Sequence, residues 1–528
     1  MPHFDADWNV EMLQMHHRFQ DLFGRIFSQR QQITELYSCI TGKTKGPEGI
    51  PKADWKPFKV MDRWGGYDQT TWFRMYVSVP KQFNGKRVVA LLNPCAHSHV
   101  AGVGPHHESG EGLAYVNGVP RQGIDRNHEC LVLADKAKGG TRFDIALECC
   151  PSTRFDSSHV FSQADIAVMH QELWDFYWDG MAYMDAIKFM SPTNTATRRL
   201  FALLFESACM MDIDNQDDEV LAASAVKARQ FLYKGLKAFP ASAHDGALAL
   251  IGHSHIDTAW LWPLRETKRK VGRTFSTMLR LMEQYPEFHF SASQPELYMF
   301  VKENYPALWK DIKRRVRQGR WEPCGATWVE QDSNMSSGEA LVRQLLYGNR
   351  FYEKEFGKRS TVAWLPDAFG FPWSLPQLLV RAGMETFHTI KISWSKYTKF
   401  PYGYFWWQGA DGTRIRAVMP PVNYNGDPTP EQCNRQWDEF QQKHLVREVP
   451  FSFGYGDGGG GPTHKMIEYG KRYANLVGLP KCNFSRTEEC FERMHASVAA
   501  DKLPVHNGEL YLELHRGCQT TQSDRKST

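Results

Sequence analysis

The stretch ALALIGHSHIDTAWLW, residues 247–262, joins a short apolar run to a group of polar and aromatic side chains. The apolar run predicts a buried strand, and six later runs have a similar character. The predicted strands are 247–251, 288–292, 321–326, 361–365, 386–392, 415–419 and 450–455. Helical patterns separate most of them. Repeated strand–helix units predict a parallel sheet or a closed barrel, with its ligand site at the carboxyl ends of the strands.

Polar residues follow several of these predicted strands and should face one rim. They are His253, His255 and Asp257 after the first strand, Glu330 and Asp332 after the third, Asp367 after the fourth and Asp457 after the last. His255 and Asp257 stand two residues apart, so on an extended segment their side chains project to the same side and could share one cation. The alternative is a rim histidine beside a capping aspartate, because a His-x-Asp pair also arises by chance.

Two further aspartates lie in settings that suit catalysis. Asp367 stands in WLPDAFG (364–370), where a rigid and partly desolvated carboxylate suits a nucleophile or a metal ligand. Asp457 stands in GYGDGGGGPT (454–463), where glycines let the backbone approach a ligand and leave the carboxylate as a candidate proton donor. The alternatives are an aspartate that closes a turn or caps a helix, and a purely connecting loop.

Tryptophans flank the same rim. They are Trp260, Trp262, Trp328, Trp364 and Trp394. Histidine and carboxylate ligands suit Zn²⁺, with Co²⁺ or Mn²⁺ as alternatives. A metal with paired carboxylates and aromatic surfaces indicates the hydrolysis of a carbohydrate. His515 follows an alternating leucine run, and a lone histidine of this kind is more often a core or surface residue than a ligand.

Composition and charge exclude several classes of protein. The 528 residues carry a formal net charge of +4, too near neutral for a nucleic-acid or membrane-surface protein. The first residues lack the pattern of a secretory signal, and no apolar stretch approaches the roughly 18 residues of a transmembrane helix. The 11 cysteines are odd in number and scattered. We therefore expect a reduced, cytoplasmic location, with a vacuole reached without a signal peptide as the alternative.

The first half of the chain has a different organisation. Residues 70–150 alternate with a period of two, and Asn117-Gly118 predicts a hairpin turn. A helical period follows from residue 162 to 239, with Ile166 and Met169 on its apolar stripe. The predicted parts are a lead segment (1–69), a β-sandwich (70–150), a helical spacer (160–245) and the α/β region that begins at residue 246.

Five motifs in order carry a resemblance to a known family. They are GHSHIDTAWLW (252–262), TWVE (327–330), WLPDAFG (364–370), FGYGDGGGGPT (453–463) and GELYLELHRG (508–517). The chain resembles the glycoside hydrolase family 38 α-mannosidases, in their cytosolic or vacuolar branch. The resemblance implies a multidomain α/β protein in which an N-terminal β-sandwich and a helical spacer precede a catalytic (β/α)7-type barrel. The catalytic α/β barrel would cover residues 246–505, and residues 506–528 would be the start of a further domain.

The resemblance also implies roles for individual residues. Three zinc ligands would be His255, Asp257 and Asp367, with Co²⁺ as an alternative metal. Asp367 would also be the nucleophile, and Asp457 is the candidate acid/base. Candidate substrate contacts are Trp260, Trp328, Glu330, Asp332, Trp394 and His515. The family's fourth zinc ligand is a histidine of the following helical domain, for which the sequence has no matching stretch.

The implied activity is that of a retaining, zinc-dependent α-mannosidase that hydrolyses terminal α-mannosyl residues of free oligosaccharides. The partners are mannose-containing oligosaccharides, not nucleic acid or a membrane, and the oligomeric state is left open, a homo-oligomer included. Because the chain stops 13 positions past His515, within the predicted further domain, the alternative is a truncated, non-catalytic chain that binds mannosides or regulates a partner. Another metal-dependent carbohydrate hydrolase, such as a deacetylase, would not explain five ordered motifs.

Overall fold

The computed structural model describes residues 6–43, 46–95, 110–151, 153, 156–239, 242, 244 and 246–513. The chain divides into two compact units. The N-terminal unit consists of Met1–His244, Thr429–Glu431 and Thr463–Lys481, and the second unit consists of Asp245–Pro428, Gln432–Pro462 and Cys482–Thr528.

The N-terminal unit combines strands with helices. Its strands are β1 (Phe27–Gln32), β2 (Leu36–Gly42), β3 (Lys56–Pro57), β4 (Arg63–Gly65), β5 (Thr70–Ser78), β6 (Val88–Asn93), β7 (Gly112–Val116), β8 (Val119–Ile124), β9 (Cys130–Ala134), β10 (Arg142–Cys149), β11 (Ser158–Val160) and β12 (Gln163–Met169). Its first helices are α1 (Ala6–Ile26), α2 (Gln171–Phe189), α3 (Thr195–Cys209) and α4 (Asp218–Leu236).

Two antiparallel sheets form the sandwich of this unit. One has the order β3-β2-β5-β10-β7-β8 and the other the order β1-β12-β6-β9. Alternate residues of β5 and β10, among them Phe73, Met75 and Leu147, share one apolar core with Ala90 of β6. This alternation buries one face of each sheet, so the predicted β-sandwich is confirmed, although its strands also lie outside residues 70–150. The predicted hairpin turn at Asn117-Gly118 joins β7 and β8.

One segment differs from the sequence prediction. Residues 163–169 form the strand β12 rather than the start of the helical spacer. Ile166 and Met169 fit a helical spacing, but Ala164, Ile166 and Val168 also alternate, and all three are buried. Pairing with β1 on one side and β6 on the other satisfies the backbone of β12. The two-residue period therefore determines the structure here.

The second half of the chain alternates strands and helices. Its strands are β13 (Ala247–His253), β14 (Phe290–Ala292), β15 (Trp321–Pro323), β16 (Val362–Trp364), β17 (Thr386–His388), β18 (Tyr404–Gln408), β19 (Arg414–Val418), β20 (Glu448–Phe453), β21 (Lys481–Phe484) and β22 (Val505–Asn507). Its helices are α5 (Leu264–Gln284), α6 (Pro295–Asn304), α7 (Pro306–Arg317), α8 (Gly338–Phe356), α9 (Leu375–Arg381), α10 (Pro430–Asp438), α11 (His464–Arg472) and α12 (Thr487–Ser497). Of these, α11 lies in the N-terminal unit.

The strands of the second unit form two open sheets in the described part of the chain. The first has the parallel order β15-β14-β13-β20, and the second has the order β16-β17-β19-β18-β22. In the second sheet β18 runs antiparallel to β19, whereas β16, β17 and β19 are parallel. All seven predicted strands are present, but a closed barrel is not seen among the described residues. The three-residue strands β15 and β16 do not pair with each other, so the sheet is interrupted between them.

No helix among the described residues combines the length and the apolar character that crossing a membrane would require.

Candidate active site

Polar residues of the second unit converge where parallel strands end. His255 follows β13, Asp367 follows β16 and Asp457 follows β20. Together with Asp257, these residues each offer a ligand atom, and the four atoms lie within 4.8 Å of one another. Carboxyl ends of parallel strands share one edge, which explains why residues so distant in the chain meet here.

His255 lies at the centre of the cluster and is only 2% exposed. Its Nδ1 lies 2.8 Å from Glu330 Oε1, and its Nε2 lies 3.2 Å from Asp257 Oδ1 and 3.3 Å from Asp367 Oδ2. An Nδ1–H donated to Glu330 leaves Nε2 facing the two aspartates. A carboxylate that orients an imidazole in this way is the usual outer partner of a metal-binding histidine.

Charge and burial shift the pKa values of this cluster. Burial alone would lower the pKa of His255, but the charge of Glu330 and hydrogen bonds with Asp257 and Asp367 raise it well above its ordinary value. Burial raises the pKa of Asp257 and of Glu330, and the neighbouring Asp367 raises both further. The cluster thus has more carboxylates than cations to balance them, and a bound divalent cation would remove that imbalance.

Asp367 is held from three sides. Its backbone N–H donates to Glu330 Oε2 at 3.1 Å, its Oδ2 faces His255, and its Oδ1 contacts the ammonium of Lys391. Burial would raise the pKa of Asp367, but hydrogen bonds from His255 and Lys391 lower it below its ordinary value. An ionised, oriented carboxylate has the properties of a nucleophile.

Lys391 is a member of the site that the sequence interpretation missed. Its side chain is 3% exposed, and Nζ lies 3.6 Å from the ring centroid of Trp394 and 4.7 Å from that of Phe369. The available signal was a lysine inside the apolar run 386–392, since a buried lysine requires an ionic or aromatic partner.

Asp457 lies in a packed turn. Its φ is +58°, its backbone oxygen accepts from the N–H of Asp257 at 2.9 Å, and its Oδ1 accepts from the Tyr424 hydroxyl at 2.6 Å. A Cβ at Gly454 would lie 2.3 Å from the backbone oxygen of His253, so only glycine fits there. The glycine run therefore packs closely rather than merely connecting two elements. Tyr424, buried against the ring of His255, is a second member that the sequence did not reveal.

The remaining candidates differ in their settings. Trp260 is 52% exposed and Trp394 is 37% exposed, and the ammonium of Lys391 lies over the ring of Trp394. Trp328 packs edge-on against Phe351. Asp332 Oδ1 accepts from the backbone N–H groups two and three residues later, which makes it a turn-closing residue. His515 lies outside the described residues.

His253 is separate from the cluster. It is fully buried, with Nδ1 2.7 Å from the oxygen of Ser291, and Trp364 donates its indole N–H to Nε2 at 3.3 Å. Burial lowers the pKa of His253 to about 3, so it stays neutral and structural.

The donor set of the cluster fits a divalent cation. One imidazole nitrogen and three carboxylates face a common point, and Glu330 fixes the imidazole from behind. An imidazole among carboxylates favours a transition metal over Mg²⁺ or Ca²⁺, which prefer oxygen ligands alone.

The amino-acid sequence is similar to those of known proteins. The glycosyl hydrolases family 38 N-terminal domain matches residues 245–509, and the jelly roll domain of α-mannosidases matches residues 39–174. The chain is 33% identical to human alpha-mannosidase 2C1 over 96% of its own length and 48% of the relative. It is 33% identical to alpha-mannosidase G of Dictyostelium discoideum, over 96% of the chain and 46% of the relative.

An alpha-mannosidase of Saccharomyces cerevisiae is 37% identical over 52% of the chain and 26% of its own length. The chain spans about half the length of the first two relatives. The family 38 match covers every residue of the carboxylate cluster, and the jelly roll match falls on the N-terminal sandwich. The chain therefore belongs to glycosyl hydrolase family 38.

Proposed function

We propose that the chain is a retaining, metal-dependent α-mannosidase that removes terminal α-mannosyl residues from free oligosaccharides. The observation that carries this proposal is the placement of Asp367 and Asp457, whose facing oxygens are at most 4.8 Å apart. Retaining glycosidases hold their two carboxyl groups about 5–5.5 Å apart, whereas inverting enzymes need about 6.5–9.5 Å to admit a water. The relatives named above are alpha-mannosidases, which supports the choice of sugar.

The proposed metal is Zn²⁺, with Co²⁺ as an alternative, held by His255, Asp257 and Asp367. When bound, such an ion supplies a Lewis acid that orients hydroxyl groups of the sugar and offsets negative charge. The chemistry of the donor set supports zinc because it combines imidazole with carboxylates.

In this proposal Asp367 is the nucleophile, and Asp457 is first the general acid and then the general base. Asp367 attacks the anomeric carbon while the carboxyl group of Asp457 protonates the leaving oxygen. In the second step Asp457 takes a proton from water, which displaces Asp367 from the sugar with the original configuration. Tyr424, whose hydroxyl donates to Asp457, fixes the direction of that carboxyl group.

Trp260 and Trp394 are the proposed stacking surfaces for the sugar, since both are exposed aromatic residues, Trp394 beside Lys391 and Trp260 three residues after Asp257 in the chain. Contacts of Trp328, Glu330, Asp332 and His515 with substrate, the cytoplasmic location, a homo-oligomer and the (β/α)7-type barrel stay predictions. The domain bounds proposed from the sequence also stay predictions.

Turnover of an aryl α-mannoside tests the proposal. We expect zinc-dependent hydrolysis that a chelator abolishes and that zinc restores. Asp367→Asn should lower kcat on the order of 10⁴-fold while Asp438→Asn, an exposed carboxylate of α10, leaves it unchanged. Metal counting on the same preparations reports occupancy independently of turnover. A folded, metal-loaded chain without turnover would favour the non-catalytic, mannoside-binding alternative.

A further inference from the structure

A pocket in the second unit has no residue in common with the carboxylate cluster. It encloses about 230 Å³ and is lined by residues that include Ser393, Lys399, Phe400, Tyr402, Arg435 and Phe440. This volume is slightly below the roughly 300 Å³ at which pockets hold drug-sized ligands, so the pocket suits one ring of a ligand rather than a whole oligomer.

The pocket lies at the edge of the sheet that carries Asp367. Ile392 and Ser393 follow β17, Met419 and Pro420 follow β19, and Tyr402 precedes the antiparallel β18. Because β17 and β19 run parallel to β16, these ends share the rim on which Asp367 stands.

The short 3-10 helix Lys391–Trp394 links the two sites directly. Lys391 contacts Asp367 on one side, and its ammonium lies under the half-exposed Trp394. Ser393 lines the pocket and stands two residues after Lys391. Because two residues of backbone span at most about 7 Å, the wall of the pocket lies close to Lys391.

The following loop is held in place. Glu513 Oε2 accepts the backbone N–H groups of Tyr397 at 2.7 Å and Thr398 at 2.9 Å, and the N–H of Glu513 donates to Ser395 Oγ at 3.3 Å. These bonds fix the loop between Trp394 and Phe400, so the pocket is largely formed before a ligand arrives.

The lining has the chemistry of a site for a neutral sugar. The rings of Phe400 and Tyr402 meet edge to face at 5.8 Å and form an apolar wall with the buried Phe440. Exposed polar groups of Ser393, Lys399 and Gln441 surround it. The guanidinium of Arg435 is balanced by Glu439 at 3.2 Å, so the exposed Lys399 at the rim carries the one remaining charge of the lining. Aromatic surface rimmed by hydrogen-bonding groups suits a pyranose ring.

We propose that this pocket is a subsite for a sugar ring on the leaving-group side of the scissile bond, so that the chain favours oligosaccharides over single mannosides. The inference rests on the proposed function, in which the terminal mannose occupies the carboxylate cluster. Any further sugar must then extend on the leaving-group side, and the pocket beside Trp394 is positioned to receive it.

Paired substrates and matched variants test the subsite. Gln441→Trp should fill the pocket, and Lys399→Ala should remove a rim contact. Each should lower kcat/KM for an α-linked mannotriose about tenfold while changing kcat/KM for α-mannosyl fluoride, whose leaving group is a single atom outside the pocket, less than twofold. Lys396→Ala, an exposed lysine of the same loop that does not line the pocket, should change neither value. Unchanged mannotriose hydrolysis in both pocket variants, with α-mannosyl fluoride still turned over, overturns the subsite and leaves the proposed function standing.

Calorimetry separates the subsite from the activity. Zinc-loaded Asp457→Asn chain, which keeps all three proposed zinc ligands and turns over slowly, should bind mannotriose about tenfold more tightly than methyl α-mannoside, and adding Gln441→Trp should remove that difference. If the unsubstituted chain shows no turnover, the same titration is carried out on that chain. A preference for mannotriose that Gln441→Trp removes would then support the subsite even though the proposed function has failed. Equal affinity for the two sugars, or a preference that survives Gln441→Trp, overturns the subsite.

Discussion

Both units bury ionised side chains, but they balance the charges differently. In the N-terminal unit, Arg472 donates to Asp179 at 2.7 Å and also pairs with Glu468, and all three are nearly inaccessible to solvent. Arg229 completes the network through Asp179 at 2.7 Å and Asp175 at 3.0 Å. Each carboxylate there meets a guanidinium in good geometry, so nothing further is needed to satisfy it.

The cluster of the second unit is arranged in the opposite way. Its carboxylates outnumber its cationic partners, which are His255 and Lys391. The carboxylates are Asp257, Glu330, Asp367 and Asp457. Such an excess of like charge costs stability and persists where a ligand relieves it. The comparison indicates that each buried charge of the N-terminal network is satisfied by a partner, whereas the unbalanced charges mark the proposed active site.

Removing a balanced partner should have the largest effect on stability. Arg472→Met leaves Asp179 and Glu468 buried with fewer partners, and we expect the free energy of unfolding to fall by about 3–5 kcal/mol. Urea titration followed by circular dichroism measures this change. Arg343→Met, which breaks an exposed pair with Glu339, should leave the free energy of unfolding nearly unchanged, because solvent screens that pair. Equal losses for the two variants would contradict the structural role of the network.

Asp457→Asn tests the unbalanced cluster. If Asp457 is the acid/base group, kcat for an oligosaccharide should fall about 10²–10³-fold, with a smaller loss for an activated aryl mannoside that needs no proton. Co²⁺ affinity and the visible spectrum of the Co²⁺ form should stay nearly unchanged. A large loss of metal affinity would instead assign Asp457 as a ligand, since its carboxylate lies within the same 4.8 Å cluster.

Lys391 provides the third test. Lys391→Met removes the ammonium that holds Asp367, and we expect kcat to fall about 10²-fold with little change in KM. Lys391→Arg should restore part of the loss. Lys270→Met is the matched control, because Lys270 is also buried and lies over the ring of Trp262 but is not part of the cluster. A similar fall in kcat for both lysines would mean that packing, not position, explains the effect.

The effect expected to be smallest near neutral pH, and to grow as the pH falls, is that of His388. His388 is fully buried and stacks on Trp364 at 4.1 Å, and burial lowers its pKa to about 3 from an ordinary value of 6.5. The unfolded chain therefore binds a proton that the folded chain does not, so His388 reduces stability as pH falls from about 6.5 toward 3. His388→Phe should flatten this dependence by about 1 kcal/mol per pH unit in urea titrations. The exposed His444→Phe should leave the dependence unchanged.

Much of the fold was predictable because it depends on local patterns. Seven apolar runs after residue 246 became strands, and the two-residue period of 70–150 became a sandwich. The prediction failed at β12, where a helical and a two-residue period coincide. It also gave no direction for β18, because pairing between distant segments determines whether a strand runs parallel or antiparallel to its neighbour. Its sequence, YFWWQ, has strand character, but nothing local indicates its direction relative to β19.

For the site, residue types and strand ends were sufficient to bring His255, Asp257, Asp367 and Asp457 to one rim, because parallel strands end on one side. The partners of these residues were not predictable. Glu330 orients His255 across 75 residues, Lys391 reaches Asp367 from the next strand, and Tyr424 reaches Asp457 from another loop. The sequence determines the chemistry of each side chain. The partner of that side chain depends on distances between distant segments, which are fixed only when the sheets have formed.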